Sequence, residues 1–312
     1  MYGRLGGSGE DSLRVMLMAH ADEVGLMITS LRPDGFLRFT RVGHPTQMVL
    51  PGQRVRVLSK TGALAGVVGV KPGHVLSGEA ARLVPAIEEL FIDVGAESGR
   101  QLEEWGIEAG TPVAFVGPLT ATRHPQRYVG KGIDNRAGLV CLLESARALS
   151  ASRPNCEVWC VVTVEEEIGL RGALVAAAKV RPDVVIAIDT VPAGGTPDLS
   201  PEQLPWRIGA GPLLKVRETS GLSTHGPLRE LMRQAAEAEQ IPYQMVVDTA
   251  GITDATAAQQ ASGEIAAMVL GLARRYSHSA VEMIDLRDVD SLIALVVATV
   301  HRLQNREQLL RY

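Results

Sequence analysis

Apolar and polar positions along the chain fall into two regimes. After a short polar lead, residues 15–19 (Val-Met-Leu-Met-Ala) form an unbroken apolar run that ends at His20-Ala21-Asp22. From about 24 to 126 the apolar residues come in short runs, at 24–31, 36–42, 53–58, 63–70 and 111–116. Turn signals separate them at Pro33-Asp34-Gly35, Pro51-Gly52 and Lys71-Pro72-Gly73. Short strands at this spacing predict a small β-barrel or sandwich. From 127 onward strand-like runs alternate with long helical patterns, the texture of an α/β domain with a mostly parallel sheet. One such helix is predicted over 135–149, with Leu139, Leu142, Leu143 and Ala146 on one face. The simplest architecture is an α/β domain made of residues 1–23 and 127–312, with a small β-barrel domain, 24–126, inserted between them.

Metal-type ligands sit where these apolar runs end. Residues 15–19 lead into His20 and Asp22, 157–164 into Glu165-Glu166-Glu167, 184–188 into Asp189, and 265–273 into Arg274-Arg275-Tyr276-Ser277-His278. In an open α/β sheet, ligands bind in the crevice outside the carboxyl ends of the strands. Asp134 joins the set at the start of the 135–149 helix. Each residue has a plainer reading: His20 as a polar strand end, Glu165–Glu167 as the acidic start of a helix, Asp134 as a simple N-cap. Their coincidence at one end of one predicted sheet favours a metal site. Two histidines and three carboxylates exceed what a single structural zinc needs, and suit a pair of divalent ions sharing one carboxylate. Asp22, two residues beyond His20, is placed to accept the second N–H of its imidazole. His44, His74, His124, His225 and His301 fall in turn-like or helical contexts and read as structural or solvated.

Composition narrows the classes. Hydrophobic residues make up 46% and charged residues 21% of the 312, with a net charge of −4, a globular balance. The basic residues are dispersed, which excludes a nucleic-acid binder with a basic stripe. No apolar signal core opens the sequence and no run approaches a membrane span. Cys141, Cys156 and Cys160 match neither a disulfide framework nor a zinc knuckle, and read as buried thiols in a reducing cytoplasm. Aromatic residues are only 4%, too few for extensive sugar- or base-stacking platforms.

The motifs resemble those of the tetrahedral (TET) aminopeptidases, peptidase family 42 of the metallopeptidases. The resemblance runs through Ala19-His20-Ala21-Asp22-Glu23-Val24-Gly25, Gly132-Ile133-Asp134-Asn135-Arg136-Ala137-Gly138, Thr163-Val164-Glu165-Glu166-Glu167-Ile168-Gly169-Leu170-Arg171-Gly172-Ala173, Ala187-Ile188-Asp189-Thr190 and Arg275-Tyr276-Ser277-His278-Ser279. Weaker matches are Lys71-Pro72-Gly73-His74, residues 90–96, and Thr253-Asp254-Ala255. The resemblance implies a zinc-peptidase-like catalytic domain holding two divalent ions, zinc or cobalt. Asp134 would bridge them, Glu167 and His278 completing one position, His20 and Asp189 the other. Glu166 would be the general base and Asp22 would orient His20. It also implies that the inserted domain mediates assembly, commonly to a dodecamer, and that the substrates are short peptides with free N-termini. The sequence departs from the family in two places. Family members normally carry a further helix and strand ahead of the His motif; if that helix is absent, the edge of the catalytic domain is expected to lose cover. Ala273 stands where a proline is usual.

Two other classes stay open on the sequence. One is a glycoside hydrolase using two carboxylates, since members of this family have sometimes been labelled cellulases. It leaves His20 and His278 without a task. The other is a catalytically impaired assembly protein, against which the intact ligand set argues.

Overall fold

The computed structural model describes residues 1–7, 12–78, 83–219, 221–248, 251–262 and 264–311. Two compact units divide the chain: residues 1–22, 120–277 and 282–312 form the larger, and residues 23–119 with 278–281 the smaller. In chain order the larger unit begins with β1 (Tyr2–Leu5) and β2 (Arg14–His20). The smaller unit contributes β3 (Gly25–Leu31), β4 (Leu37–Val42), β5 (Arg54–Ser59), β6 (Gly62–Gly69), β7 (Phe91–Asp93), the short helix α1 (Gly99–Glu104) and β8 (Pro112–Phe115). The chain then returns through β9 (Thr120–Ala121), β10 (Arg127–Gly130), α2 (Ile133–Ser152), β11 (Glu157–Thr163), α3 (Arg171–Val180) and β12 (Val184–Pro192). It finishes with β13 (Leu213–Arg217), α4 (Gly226–Ala238), β14 (Gln244–Val247), α5 (Asp254–Ala261), β15 (Ala266–Arg274), β16 (Glu282–Asp285) and α6 (Leu286–Arg302).

Among the described residues the larger unit is built on a seven-stranded sheet in the order β1-β11-β2-β12-β15-β13-β14. Its middle, β11-β2-β12-β15, is parallel throughout. Strands buried on both faces need apolar side chains on both, which is why these runs do not alternate. Val15, Leu17, Ala19, Ile186 and Ile188 pack on one face with residues of α2, α4 and α6. Met16, Met18, Val161, Val185 and Ala187 pack on the other with residues of α3 and α5. The sheet is mixed at its margins: β1 runs antiparallel to β11, and β13 antiparallel to β15.

The edge of the catalytic domain was expected to lose cover. Instead Tyr2–Leu5 pairs along Val158–Val161, and the Met1 ammonium donates to the Val162 carbonyl at 2.9 Å. The middle of the polar lead, 8–11, lies outside the described residues. In the smaller unit six antiparallel strands close a barrel in the order β3-β4-β7-β6-β5-β8. Its core holds Leu26, Ile28, Leu37, Phe39, Val55, Val57, Ile92, Val113 and Phe115, with Leu102 of α1. The fold is thus mixed α/β with a mostly parallel sheet and a closed antiparallel barrel.

Candidate metal centre

The sheet register lines the candidate residues up. Thr163 pairs with His20, and Ala187 with Met18, so Asp189 stands level with His20 along the neighbouring strand. With a side-chain period of two, His20 and Asp189 continue the Met16–Met18 and Val185–Ala187 face. Asp189 was expected just beyond a strand ending at 188. The strand runs on to Pro192, so Asp189 is held inside it, and its Oδ1 accepts the Thr190 N–H at 2.7 Å.

His20 is the hub and is 2% exposed. Its Nε2 lies 3.2 Å from Asp134 Oδ1, 3.6 Å from Asp189 Oδ1 and 4.0 Å from Glu166 Oε2. Nδ1 lies 3.1 Å from the Asp22 carbonyl oxygen and 3.5 Å from Asp22 Oδ1. The backbone of Asp22 therefore shares the orienting contact that the sequence suggested for its carboxylate alone. The other carboxylate oxygen, Oδ2, accepts the Glu167 N–H at 3.2 Å, tying the β2 end to the acidic turn after β11.

That turn is shaped by unusual backbone. Glu165 (φ 62°) and Leu170 (φ 58°) are both left-handed and bracket Glu166 and Glu167. Non-glycine residues in this region cost energy and cluster at functional sites. The Glu166 carbonyl accepts the N–H groups of Gly169 and Leu170 at 3.1 and 3.0 Å. Gly172 is required because a Cβ there would stand 2.3 Å from the Val164 carbonyl oxygen. Asp134 sits in the first turn of α2 without helical backbone (φ −79°, ψ 108°), and its N–H donates to Glu282 Oε2 at 3.0 Å. The next residue, Asn135, is fully buried. It donates to the Ile188 carbonyl at 2.8 Å and accepts the Gly138 N–H at 3.0 Å.

Among the described residues, two groups of possible ligands share His20: one with Glu166 and Asp189, the other with Asp134 and Glu167. Within each, the donor atoms lie within 4.8 Å of one another. His278 belongs to the smaller unit, where its Nδ1 lies 2.9 Å from the His44 carbonyl oxygen. Tyr276 and His278 both have left-handed backbone, with φ of 59° and 56°. The remaining histidines keep plain roles where the described contacts reach them. His225 caps α4 by accepting the Leu228 N–H, and His301 hydrogen-bonds with Ser152. All three cysteines are free thiols; Cys141 and Cys156 are buried as expected, but Cys160 is only half-buried.

Electrostatics test whether this donor set suits cations. Four carboxylates, from Asp134, Glu166, Glu167 and Asp189, surround one imidazole away from bulk water, and buried carboxylates need a compensating charge. Burial, reinforced by the charge of Asp189, pushes Glu166 up to about 10. Burial works against charge on His20, yet its bonds to Asp134, Asp189 and Asp22 outweigh it and raise the imidazole well above its ordinary value. The opposite holds for Asp22: burial would raise it, but His20 lowers it. A buried site this rich in nitrogen and oxygen donors fits divalent metal ions of the zinc, cobalt or manganese type.

The same numbers give a pH expectation for the metal-free protein. Glu166 and His20 both have native values raised above their unfolded ones, so the native state holds extra protons. Their stabilising contribution is complete at low pH and is lost as pH rises from the ordinary glutamate value of 4.5 towards 10. The urea midpoint of chelator-treated protein is expected to fall between about pH 5 and about pH 9. A midpoint that climbs across that range would contradict the assignment.

Three residues beside the centre were given no role from the sequence, although Asp254 lay in a weaker motif match and Arg274 at the end of an apolar run. Asp254, at the first turn of α5, is 3% exposed and accepts the Thr163 hydroxyl at 2.5 Å. Burial, only partly offset by that bond and by His20, raises it to about 7. Arg274 and Glu282 are equally buried and flank Asp134. An arginine closing an apolar run was a legible signal for Arg274, because a buried guanidinium must find partners.

The M42 glutamyl aminopeptidase family model matches residues 2–295 of the sequence. The chain belongs to that family. It is 34% identical over 294 residues to the lysyl aminopeptidase of Pyrococcus furiosus, covering 93% of this chain and 82% of that protein. The TET aminopeptidase from Thaumarchaeota archaeon SCGC AB-539-E09 superposes with a TM-score of 0.92 at 30% identity, covering 99% of this chain and 86% of the other. The Pyrococcus horikoshii TET1 peptidase, described as able to assemble into a tetrahedron or a large octahedral shell, superposes with a TM-score of 0.85 at 30% identity. That match covers 97% of this chain and 87% of the other. Of the classes left open by the sequence, membership in this family selects the peptide-bond hydrolase: the M42 chain is a metallopeptidase with aminopeptidase activity. No helix among the described residues is long and apolar enough to cross a membrane.

Proposed function

We propose that this M42 chain removes single residues from the free N-termini of short peptides, using two divalent ions per subunit, zinc or cobalt. The observation that carries the reading is the pair of ligand groups sharing His20 at the carboxyl ends of parallel strands. The proposed ligands are His20, Asp134, Glu167 and Asp189, with Asp134 shared between the two ions; His278 is added to the set on its sequence motif alone. Ions bound there would supply Lewis acidity for the scissile carbonyl and make a bound water easier to deprotonate.

Glu166 is proposed as the general base. It takes a proton from the attacking water and hands it to the leaving amine. Cations beside it would lower its raised value and leave Glu166 ionised to accept the proton, while its burial favours the protonated form once the proton is taken. Asp22 keeps His20 oriented through its backbone carbonyl, and through Oδ2 it steadies the backbone of Glu167.

The inserted domain, 24–126, is proposed to mediate homo-oligomer assembly up to a dodecamer on the sequence resemblance; the Pyrococcus horikoshii neighbour, described as forming a tetrahedron or an octahedral shell, supports assembly. A reducing cytoplasm suits three free thiols. The family description names glutamyl and the Pyrococcus furiosus relative lysyl substrates, so the preferred residue has to be measured. The test is a panel of chromogenic Leu, Glu, Lys and Ala substrates with free and with blocked amines, assayed with zinc or cobalt. Metal-dependent cleavage confined to free-amine substrates is expected. Equal cleavage of the blocked set would overturn the exopeptidase reading.

A further inference from the structure

Arg274 is the last of nine consecutive buried residues in β15 and is itself 2% exposed. Its Nη1 donates to Asp134 Oδ2 at 2.6 Å and to Glu282 Oε1, and its Nη2 donates to Ser277 Oγ at 2.7 Å. The other oxygen of Glu282, Oε2, accepts the Asp134 N–H at 3.0 Å. Glu282 thus holds both the backbone of Asp134 and the arginine that grips its side chain. A guanidinium this deep in the protein persists only because its charge is compensated, here by Asp134 and Glu282.

This arrangement bears on the sharing of Asp134. A carboxylate that serves two cations offers one oxygen to each. Asp134 turns Oδ1 to His20 Nε2 at 3.2 Å, while Oδ2 is engaged by Arg274. The oxygen required by a second cation already carries a permanent positive charge beside it. Glu167 and Asp189 also lie within reach of that charge.

We propose that Arg274 is an internal cation that competes for Asp134 with one of the two ions, so that this chain holds one ion tightly and the second far more weakly. The weak position is the one that draws on Asp134 Oδ2, the oxygen the guanidinium already engages; the tight one draws on Oδ1, beside His20. The inference rests on the reading of Asp134 as a shared ligand. It assigns Arg274 a positioning role: it fixes the rotamer of Asp134 and sets the order in which the two positions fill.

Zinc chloride titrated calorimetrically into metal-stripped protein tests this, with bound zinc counted by elemental analysis at buffered free zinc. Wild type is expected to saturate one ion per subunit and to take the second roughly tenfold or more weakly, the scale that one nearby charge produces. Arg274→Met with Glu282→Gln, which removes the guanidinium together with one of its two acids and leaves Asp134 Oδ2 open to an ion, is expected to narrow that gap to a few-fold. Arg274→Lys keeps the charge and is expected to preserve it. Two equally tight ions in wild type overturn the proposal even if no variant folds, and leave the two-ion reading standing. No zinc binding in wild type overturns both. A gap unchanged in the folded double variant overturns the role of Arg274 alone.

Discussion

Replacing Glu166 with Gln is expected to lower kcat by about a thousandfold while KM stays within a few-fold, because positioned general acid–base catalysis contributes roughly 10²–10⁴ in rate. The amide keeps the volume of the side chain but cannot hold the transferred proton. The substitution also removes one acid from a crowded group in which burial and Asp189 already disfavour the charged form. Glu166→Gln protein is therefore expected to fold normally, with a thermal midpoint no lower than that of wild type. Kinetics on the best substrate of the panel, run with zinc content and melting on the same preparation, check all three expectations. A variant retaining more than roughly a tenth of kcat would remove Glu166 from the reaction. A loss confined to KM would make it a binding residue.

Stripping the protein with a chelator is expected to abolish peptidase activity, and zinc or cobalt to restore it. The effect on stability is expected to be large as well. Ions held at a thousandfold excess over Kd stabilise the native state by about 4 kcal/mol. For a chain of this size, each kcal/mol moves the thermal midpoint by roughly 2–4 °C, so a drop of roughly 10 °C is expected on stripping. The cause is the density of buried carboxylates around His20, which repel one another once the compensating charge is gone. Full activity after exhaustive chelation would sink the metal reading. An unchanged midpoint with lost activity would mean that the ions act on the substrate without being needed to hold the site together.

Much of the centre was readable along the chain because its signals are local. Unbroken apolar runs at 15–19, 184–188 and 265–273 mark strands covered on both faces, and a polar residue directly follows each: His20, Asp189 and Arg274. The short broken runs between 24 and 126 mark barrel strands whose outer face is solvated. Glu166, Glu167 and Asp189 reach His20 from such runs once the strands lie parallel and adjacent, since neighbouring carboxyl ends then share one crevice, and Asp134 joins them from the start of α2.

Other features depend on which strands become neighbours, and no local pattern encodes that. Tyr-Gly-Arg-Leu is too exposed to alternate as a half-buried strand should, yet it forms β1 because the free edge of β11 offers it a ladder. The extension of β12 beyond Ile188 is stabilised by β15, which pairs with it to Pro192, so Asp189 is fixed within the sheet rather than in a loop. Arg274 could be recognised as a buried charge in need of partners, but not what those partners would be. Glu282 meets the Asp134 backbone across 148 residues of sequence, through a β-strand pairing and a helix start with no periodicity in common. Residue types and local burial were written in the chain. The charge balance around Asp134 arises only where the packed elements converge, because Coulomb interactions act through space and not along the backbone.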